Sequence, residues 1–200
     1  MNAGPTATRI YDALRALVLA HDFRPGDRLD AALLAERLGS SVTPVRDALN
    51  MLTGEGLVET RRAGGFYLPP LDEPALKDMY AWEAQILRLA LKEADLVPTD
   101  PPADRRSRYY AERVADLVGA VAGRSVNGEH ARASLRLAAR LHVVRTLEET
   151  VIDDAAAELA RVEHALDLAD RASLRRLWNA WVNRRIGAAA RLVRAAYRGR

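Results

Sequence analysis

The 200-residue chain contains no cysteine, which rules out a disulfide framework, thiolate zinc sites and a cysteine nucleophile. No apolar run approaches the ~20 residues that cross a bilayer. The start, MNAGPTATRIYD, lacks the apolar core of a signal peptide. A cytoplasmic protein with no membrane partner is the expectation. Phosphate-binding loops, Gly-rich dinucleotide turns, paired-His metal helices and nucleophile motifs are all missing, so nothing points to an enzyme. Internal repeats and low-complexity stretches are missing as well.

Hydrophobic residues make up 49% of the chain, enough for one large or two small cores. Aromatics are few at 6%, while Ala, Leu and Arg are abundant, which favours helix. The net charge of +3 hides an uneven distribution. Residues 1–70 carry eight Arg against eight acids. Segment 146–170 holds eight acids and one Arg, and segment 171–200 nine Arg and no acid. Two helices that neutralise each other, within one chain or across a dimer, account for that division. A second nucleic-acid contact by the Arg-rich segment is the alternative.

Ile10, Leu14, Leu17, Val18 and His21 recur at helical spacing and predict a first helix. Phe23 to Asp27, with Pro25 and Gly26, end it. Asp30 is placed to cap a second helix, whose Leu33, Leu34 and Leu38 are expected to face inward before Gly39 closes it. A turn at Ser40–Val42 leads to a third helix, with Thr43 as its cap and Pro44 in its first position. Val45, Ala48, Leu49 and Leu52 fall at i, i+3, i+4 and i+7, so that face packs and Thr43, Arg46, Asp47 and Asn50 face outward. Arg, Thr and Asn bond phosphates and base edges. Leu57–Thr60 and Phe66–Leu68 read as two strands around Arg61-Arg62-Ala63-Gly64-Gly65. Paired arginines at such a hairpin tip suit a phosphate backbone or a minor groove.

That order of helix, turn, helix and hairpin outlines a winged helix-turn-helix. Pro25-Gly26-Asp27-Arg28-Leu29, Leu34-Ala35-Glu36-Arg37-Leu38-Gly39 and Thr43-Pro44-Val45-Arg46-Asp47-Ala48-Leu49 resemble the N-terminal domain of the GntR family of bacterial transcription regulators. Leu52, Glu55-Gly56-Leu57-Val58 and Gly65 complete the likeness, which covers about residues 8–70. It implies a dimer on a short inverted repeat in double-stranded DNA. The contacts would come from Thr43 and Arg46 and from the wing around Gly65, with Asn50, Arg61 and Arg62 beside them. Val42 stands where family members carry Arg, and Ala31 and Ala32 where relatives often carry polar groups.

Past the short, stiff connector Pro69-Pro70-Leu71-Asp72-Glu73-Pro74, within which residues 71–74 are the linker between domains, the pattern is helical to the end, with no strand signal after Leu68. Helices are expected near Ala75–Asp95, Asp104–Val121, Glu129–Glu149, Asp154–Asp170 and Ser173–Tyr197. Asp72 is placed to cap the first. Its stripe runs through Leu76, Met79, Tyr80, Glu83, Ile86, Leu87 and Ala90, with Trp82 off it. The expected fold is therefore mainly α: a winged helix-turn-helix over residues 1–70 and an all-helical bundle over 75–200. Such a bundle resembles the FadR-type branch of the family, especially its FCD subgroup. There it binds a small effector, often a carboxylate, and many members hold a divalent metal through an Asp and three His. His142 and His164 are the two matching candidates for a metal, but Ala138 stands at the Asp position and Trp181-Val182-Asn183 where the last His belongs. No cofactor is therefore expected. For a carboxylate effector, Arg88, Arg136, Arg140 and Arg184 lie on helices able to line a bundle interior. Trp178, Trp181 and Tyr80 are apolar walls or core. The function expected is a ligand-controlled regulator, or one whose helical domain only dimerises.

Overall fold

The computed structural model describes residues 5–20, 22–105 and 108–198. Among these, eight helices and three short strands form two compact units, residues 1–71 and 72–198. The chain is mainly α, with an N-terminal winged helix and a helical C-terminal region.

In the first unit, α1 (Pro5–Leu19) buries Ile10, Leu14 and Val18 against α3 (Val42–Glu55). Leu17 is half-buried, and His21 lies outside the described residues. Between these helices runs α2 (Ala31–Arg37). The Asp30 carboxylate accepts from Ala32 N at 2.8 Å and Leu33 N at 3.2 Å, as its cap position predicts. Those two backbone bonds hold its pKa below the ordinary carboxylate value. Leu34 and Ala35 face the core, whereas Leu33 is 67% exposed. The inward placement expected for Leu33 therefore fails: a turn of 100° per residue swings it away from the Leu34–Ala35 face.

Helix α3 also starts earlier than expected. Ser41, not Thr43, sits at the N-cap and makes no side-chain cap bond. Thr43 and Pro44 thus occupy the second and third helical positions. Pro is tolerated there because first-turn N–H groups have no partner within the helix. Val45, Ala48, Leu49 and Leu52 are all buried, as the spacing requires. Gly56 (φ +77°) ends the helix, donating to Leu52 O and Thr53 O.

Strands β2 (Glu59–Thr60) and β3 (Phe66–Tyr67) form the expected hairpin. A third strand, β1 (Arg28–Leu29), adds to the other side of β3, giving the antiparallel order β1-β3-β2 with Arg28 opposite Tyr67. Gly26 N to Leu68 O (3.1 Å) and Leu68 N to Asp27 O (2.9 Å) extend the pairing. Leu29, Leu57, Val58 and Leu68 are buried and tie the sheet to the helices.

In the second unit, α4 (Glu73–Glu93), α6 (Gly128–Val151) and α8 (Arg171–Arg198) pack against one another. Helix α5 (Tyr110–Gly123) rests on α4 and α6, and α7 (Ala155–Asp167) on α8. Asp72 caps α4 through Ala75 N at 2.7 Å, and the whole predicted stripe from Leu76 to Ala90 is buried. Trp82 is 51% exposed. Helix α5 begins at Tyr110 rather than near Asp104. Pro101 and Pro102 resist coiling and the bidentate clamp of Arg105 on Asp167 holds the preceding chain against α7, while Arg113 within α5 clamps Glu163, also of α7.

Candidate nucleic-acid interface and the interior of the helical unit

On α3 the buried stripe turns Thr43, Arg46, Asp47 and Asn50 to the surface, where all four are exposed. The wing is shaped by glycines in the left-handed region, Gly64 (φ +81°) and Gly65 (φ +90°), after a turn closed by Gly64 N on Arg61 O (2.8 Å). Arg61 does not reach outward from the tip. Its Nε bonds Glu59 Oε1 at 2.9 Å, and its guanidinium lies 4.1 Å from the Tyr67 ring centroid. Arg62 is exposed at the tip.

A cleft of about 200 Å³ joins the reading helix to the wing, lined by Arg28, Ala31, Ala32, Val42, Arg46 and Gly65 among others. Arg46 and Gly65, 19 positions apart in sequence, therefore border one concave surface. Arg28 joins them because β1 runs beside β3. It carries no periodic signal in the sequence; the extended run Arg28-Leu29 before the capping Asp30 is the only local hint. The neutral charge total also resolves here. Glu55 faces Arg15 (3.7 Å), Asp22 pairs with Arg37 (2.5 Å) and Glu59 with Arg61, whereas Arg28 and Arg46 have no carboxylate within ion-pair distance among the described residues. The Tyr11 hydroxyl donates to Glu55, and burial, helped by that carboxylate, pushes the phenol up to about 12.

The family profile described as "Bacterial regulatory proteins, gntR family" matches residues 6–68. Residues 6–68, nearly the whole N-terminal unit, are thus similar to the GntR family's winged helix-turn-helix. The curated relatives match less than half of the chain. The Nta operon transcriptional regulator of Aminobacter aminovorans is 37% identical over 84 residues, 42% of this chain and 40% of that protein. The chain thus spans about two fifths of the length of the curated relatives it matches. Two solved structures are similar over nearly the whole chain. E. coli McbR/YncC is 19% identical with a TM-score of 0.64, covering 92% of this chain and 97% of that one. A putative transcriptional regulator GntR from Rhodococcus sp. RHA1 is 16% identical with a TM-score of 0.70, covering 95% and 98%. At such identities the likeness is one of fold.

The interior of the helical unit is charged. Arg145 and Arg185 are fully buried, together with Glu83 and Glu148. Arg145 pairs with Glu83. Arg185 donates from Nε to Glu148 Oε2 at 2.9 Å, from Nη2 to the Tyr110 hydroxyl at 2.7 Å, and from Nη1 to Glu158. The Tyr80 and Tyr110 hydroxyls each donate to Glu148 at 2.7 Å. Burial first, then the Glu148 carboxylate, raises both phenols above their usual range, which keeps them donors. Burial also raises the Glu83 carboxyl against the pull of Arg145. Trp178 stacks on Trp181 (4.6 Å, 10°), Tyr80 meets Trp181 edge-on, and the Arg185 guanidinium lies 3.9 Å from the Trp181 ring. So the aromatic trio is core, and two of the Arg-rich segment's side chains answer acids of segment 146–170, with Arg184 Nη1 3.6 Å from Glu158.

Arg88, Arg136, Arg140 and Arg184 sit on helices of the bundle but do not line its interior: all four are exposed. At about 100° per residue the helical period turns them away from their neighbours Leu87, Leu137, Leu141 and Arg185, which take the inward positions. Arg145 and Arg185 were the arginines to find, and their signal was their place in the buried stripes of α6 and α8. His164 is exposed on α7, while its neighbour Glu163 is buried on Arg113. His142 is half-buried on α6, one turn from Ala138, which has no donor. Among the described residues no three His, Asp or Glu side chains gather as a metal ion requires. These residues do not fit the metal set that the resemblance implies.

Proposed function

We propose that the protein is a DNA-binding transcription regulator of the FadR/FCD-like kind, acting as a homodimer on an inverted-repeat operator. In this reading residues 1–70 are the DNA reader, 71–74 the linker and 75–200 the dimerising, effector-responsive part. The observation that carries it is the shared cleft. Arg46 on α3, Arg28 on β1 and Gly65 in the wing lie along one surface, with neither arginine in an ion pair among the described residues. A helix in the major groove and a wing on the adjacent backbone need that juxtaposition. Arg46 is suited to guanine or phosphate, and Thr43 and Asn50 beside it to phosphate and adenine. Arg62 is the wing cation left for the backbone, since Arg61 is held by Glu59 and Tyr67.

The test is an inverted repeat selected from random duplexes and titrated by fluorescence anisotropy over a range of salt. Arg46→Ala is expected to weaken binding about 10- to 100-fold and to lower the salt slope by roughly one counterion. Wild-type affinity in that variant would sink the reading.

A small carboxylate effector is the control that the helical unit is proposed to receive. The runner-up, a helical unit that only dimerises, draws support from an interior where Arg145 and Arg185 already hold Glu83, Glu148 and Glu158. The two readings separate on whether any small organic anion binds the folded protein and raises its melting point.

A further inference from the structure

Helix α4 presents Arg88 and Lys92, and α8 presents Arg171 and Arg175, to one surface groove of about 680 Å³ with Leu89 and Leu91 in its wall. That volume lies within the roughly 300–1,000 Å³ of small-molecule sites. Each helix thereby carries a like-charged pair at i,i+4, an arrangement that disfavours a helix rather than supporting it. No acid lines the groove. Some other arginines of the same unit are answered by acids, among them Arg105 by Asp167, Arg113 by Glu163 and Arg185 by Glu148. Among the described residues Arg88, Lys92 and Arg175 have no such partner.

Arg171 is different. Its guanidinium donates to the carbonyls of Leu91 and of Ala94 (2.6 Å), capping the C-terminal end of α4 and pinning the groove's shape. Three cations then stand around an anchored wall, and Leu89 remains 43% exposed between them. The aliphatic stems of Arg88 and Lys92 extend that apolar strip. A carboxylate entering the interior of the unit would have to displace a buried one from Arg145 or Arg185; at the α4–α8 groove it displaces only water.

We infer that this groove binds a small organic anion, its head held by Arg88, Lys92 and Arg175 and its apolar body laid along Leu89. The purpose of the site rests on the effector-controlled reading above, but its occupancy is measured without DNA.

Full-length protein is titrated calorimetrically with octanoate and, separately, octyl phosphate, with acetate and inorganic phosphate as head-only probes. One saturable site per chain is expected, at least tenfold tighter for an amphiphile than for its head alone; the tighter amphiphile identifies the head. Arg88→Gln with Arg175→Gln should weaken it at least tenfold, and Leu89→Asn should weaken octanoate without changing acetate. Arg136→Gln with Arg140→Gln, exposed positions outside the groove, should leave it unchanged, with circular dichroism confirming each fold. Absence of saturable binding by either amphiphile, or undiminished binding in the Arg88/Arg175 variant, overturns the site. So does a variant that dissociates a dimer in sedimentation while keeping its octanoate affinity, which would assign the groove to a second copy of the chain. Octanoate that binds as expected yet leaves operator affinity unchanged upholds the site and overturns only the effector reading.

Discussion

The two units use their arginines in opposite ways. In residues 72–198, Arg145 and Arg185 are at 0% exposure, each against carboxylates that are themselves buried. In residues 1–71, Arg28 and Arg46 stand exposed along a cleft in no ion pair among the described residues; the one acid lining that cleft, Asp30, is turned to the α2 cap. Removing a guanidinium from water costs several kcal/mol unless acids and hydrogen-bond acceptors replace the solvent. The helical unit supplies them from α4, α6 and α7. The winged helix places its acids at other posts: Asp30 on a cap, Asp22 on Arg37, Glu59 on Arg61. What separates a structural arginine from a recognition arginine is therefore the position of the nearest acid, and a neutral total does not argue against a DNA-binding face.

Breaking the buried side of that contrast should have the largest effect. Arg185→Leu leaves the buried Glu148 without its cation and is expected to destabilise the helical unit by roughly 3–5 kcal/mol. Urea unfolding followed by tryptophan fluorescence reads that unit, since all three Trp lie in it. A small loss would mean the ion cluster is relaxed by water. Next comes the exposed side, where Arg46→Ala should cost operator binding about 1–3 kcal/mol with little change in melting temperature. A matching loss of stability would erase the distinction. Val42→Arg adds a third cation to the Arg28–Arg46 cleft. It is expected to tighten DNA binding severalfold and steepen the salt slope by about one counterion, measured by anisotropy at several ionic strengths. The smallest effect sharpens the account of where the acids are placed. The cap bonds lower the folded-state pKa of Asp30, so its contribution to stability is present above the ordinary carboxylate value and fades as pH falls through the lowered one. Asp30→Asn should thus lower the melting temperature slightly at neutral pH and converge with wild type in acid, once the Asp30 carboxylate is protonated. A gap that persists in acid would mean that charge is not what makes the cap.

Much of this arrangement was legible in the chain. The spacing of Val45, Ala48, Leu49 and Leu52 named the buried face of α3, and hence the outward Arg46. Asp30 and Asp72 marked two helix starts, and Glu83 sat within the α4 stripe. All of these rest on interactions within one or two helical turns, where a period of 3.6 residues is sufficient to assign sides. Other features were not legible. Strand β1 exists only because Arg28 and Leu29 find β3 about 40 positions later. Leu33 looks apolar and faces water. Arg145 and Arg185 fall in the stripes of α6 and α8, but which acids they meet shows only once Glu83, Glu148 and Glu158 are set around them.

Local periodicity and turn chemistry were thus enough to establish a helix-turn-helix with a wing, followed by a helical bundle. Which arginines meet acids and which meet solvent was settled by folding, because a charge pair is a matter of a few ångströms between helices far apart along the chain. A cation is expensive to bury or cheap to expose only relative to those neighbours, and no spacing along one strand or helix records them.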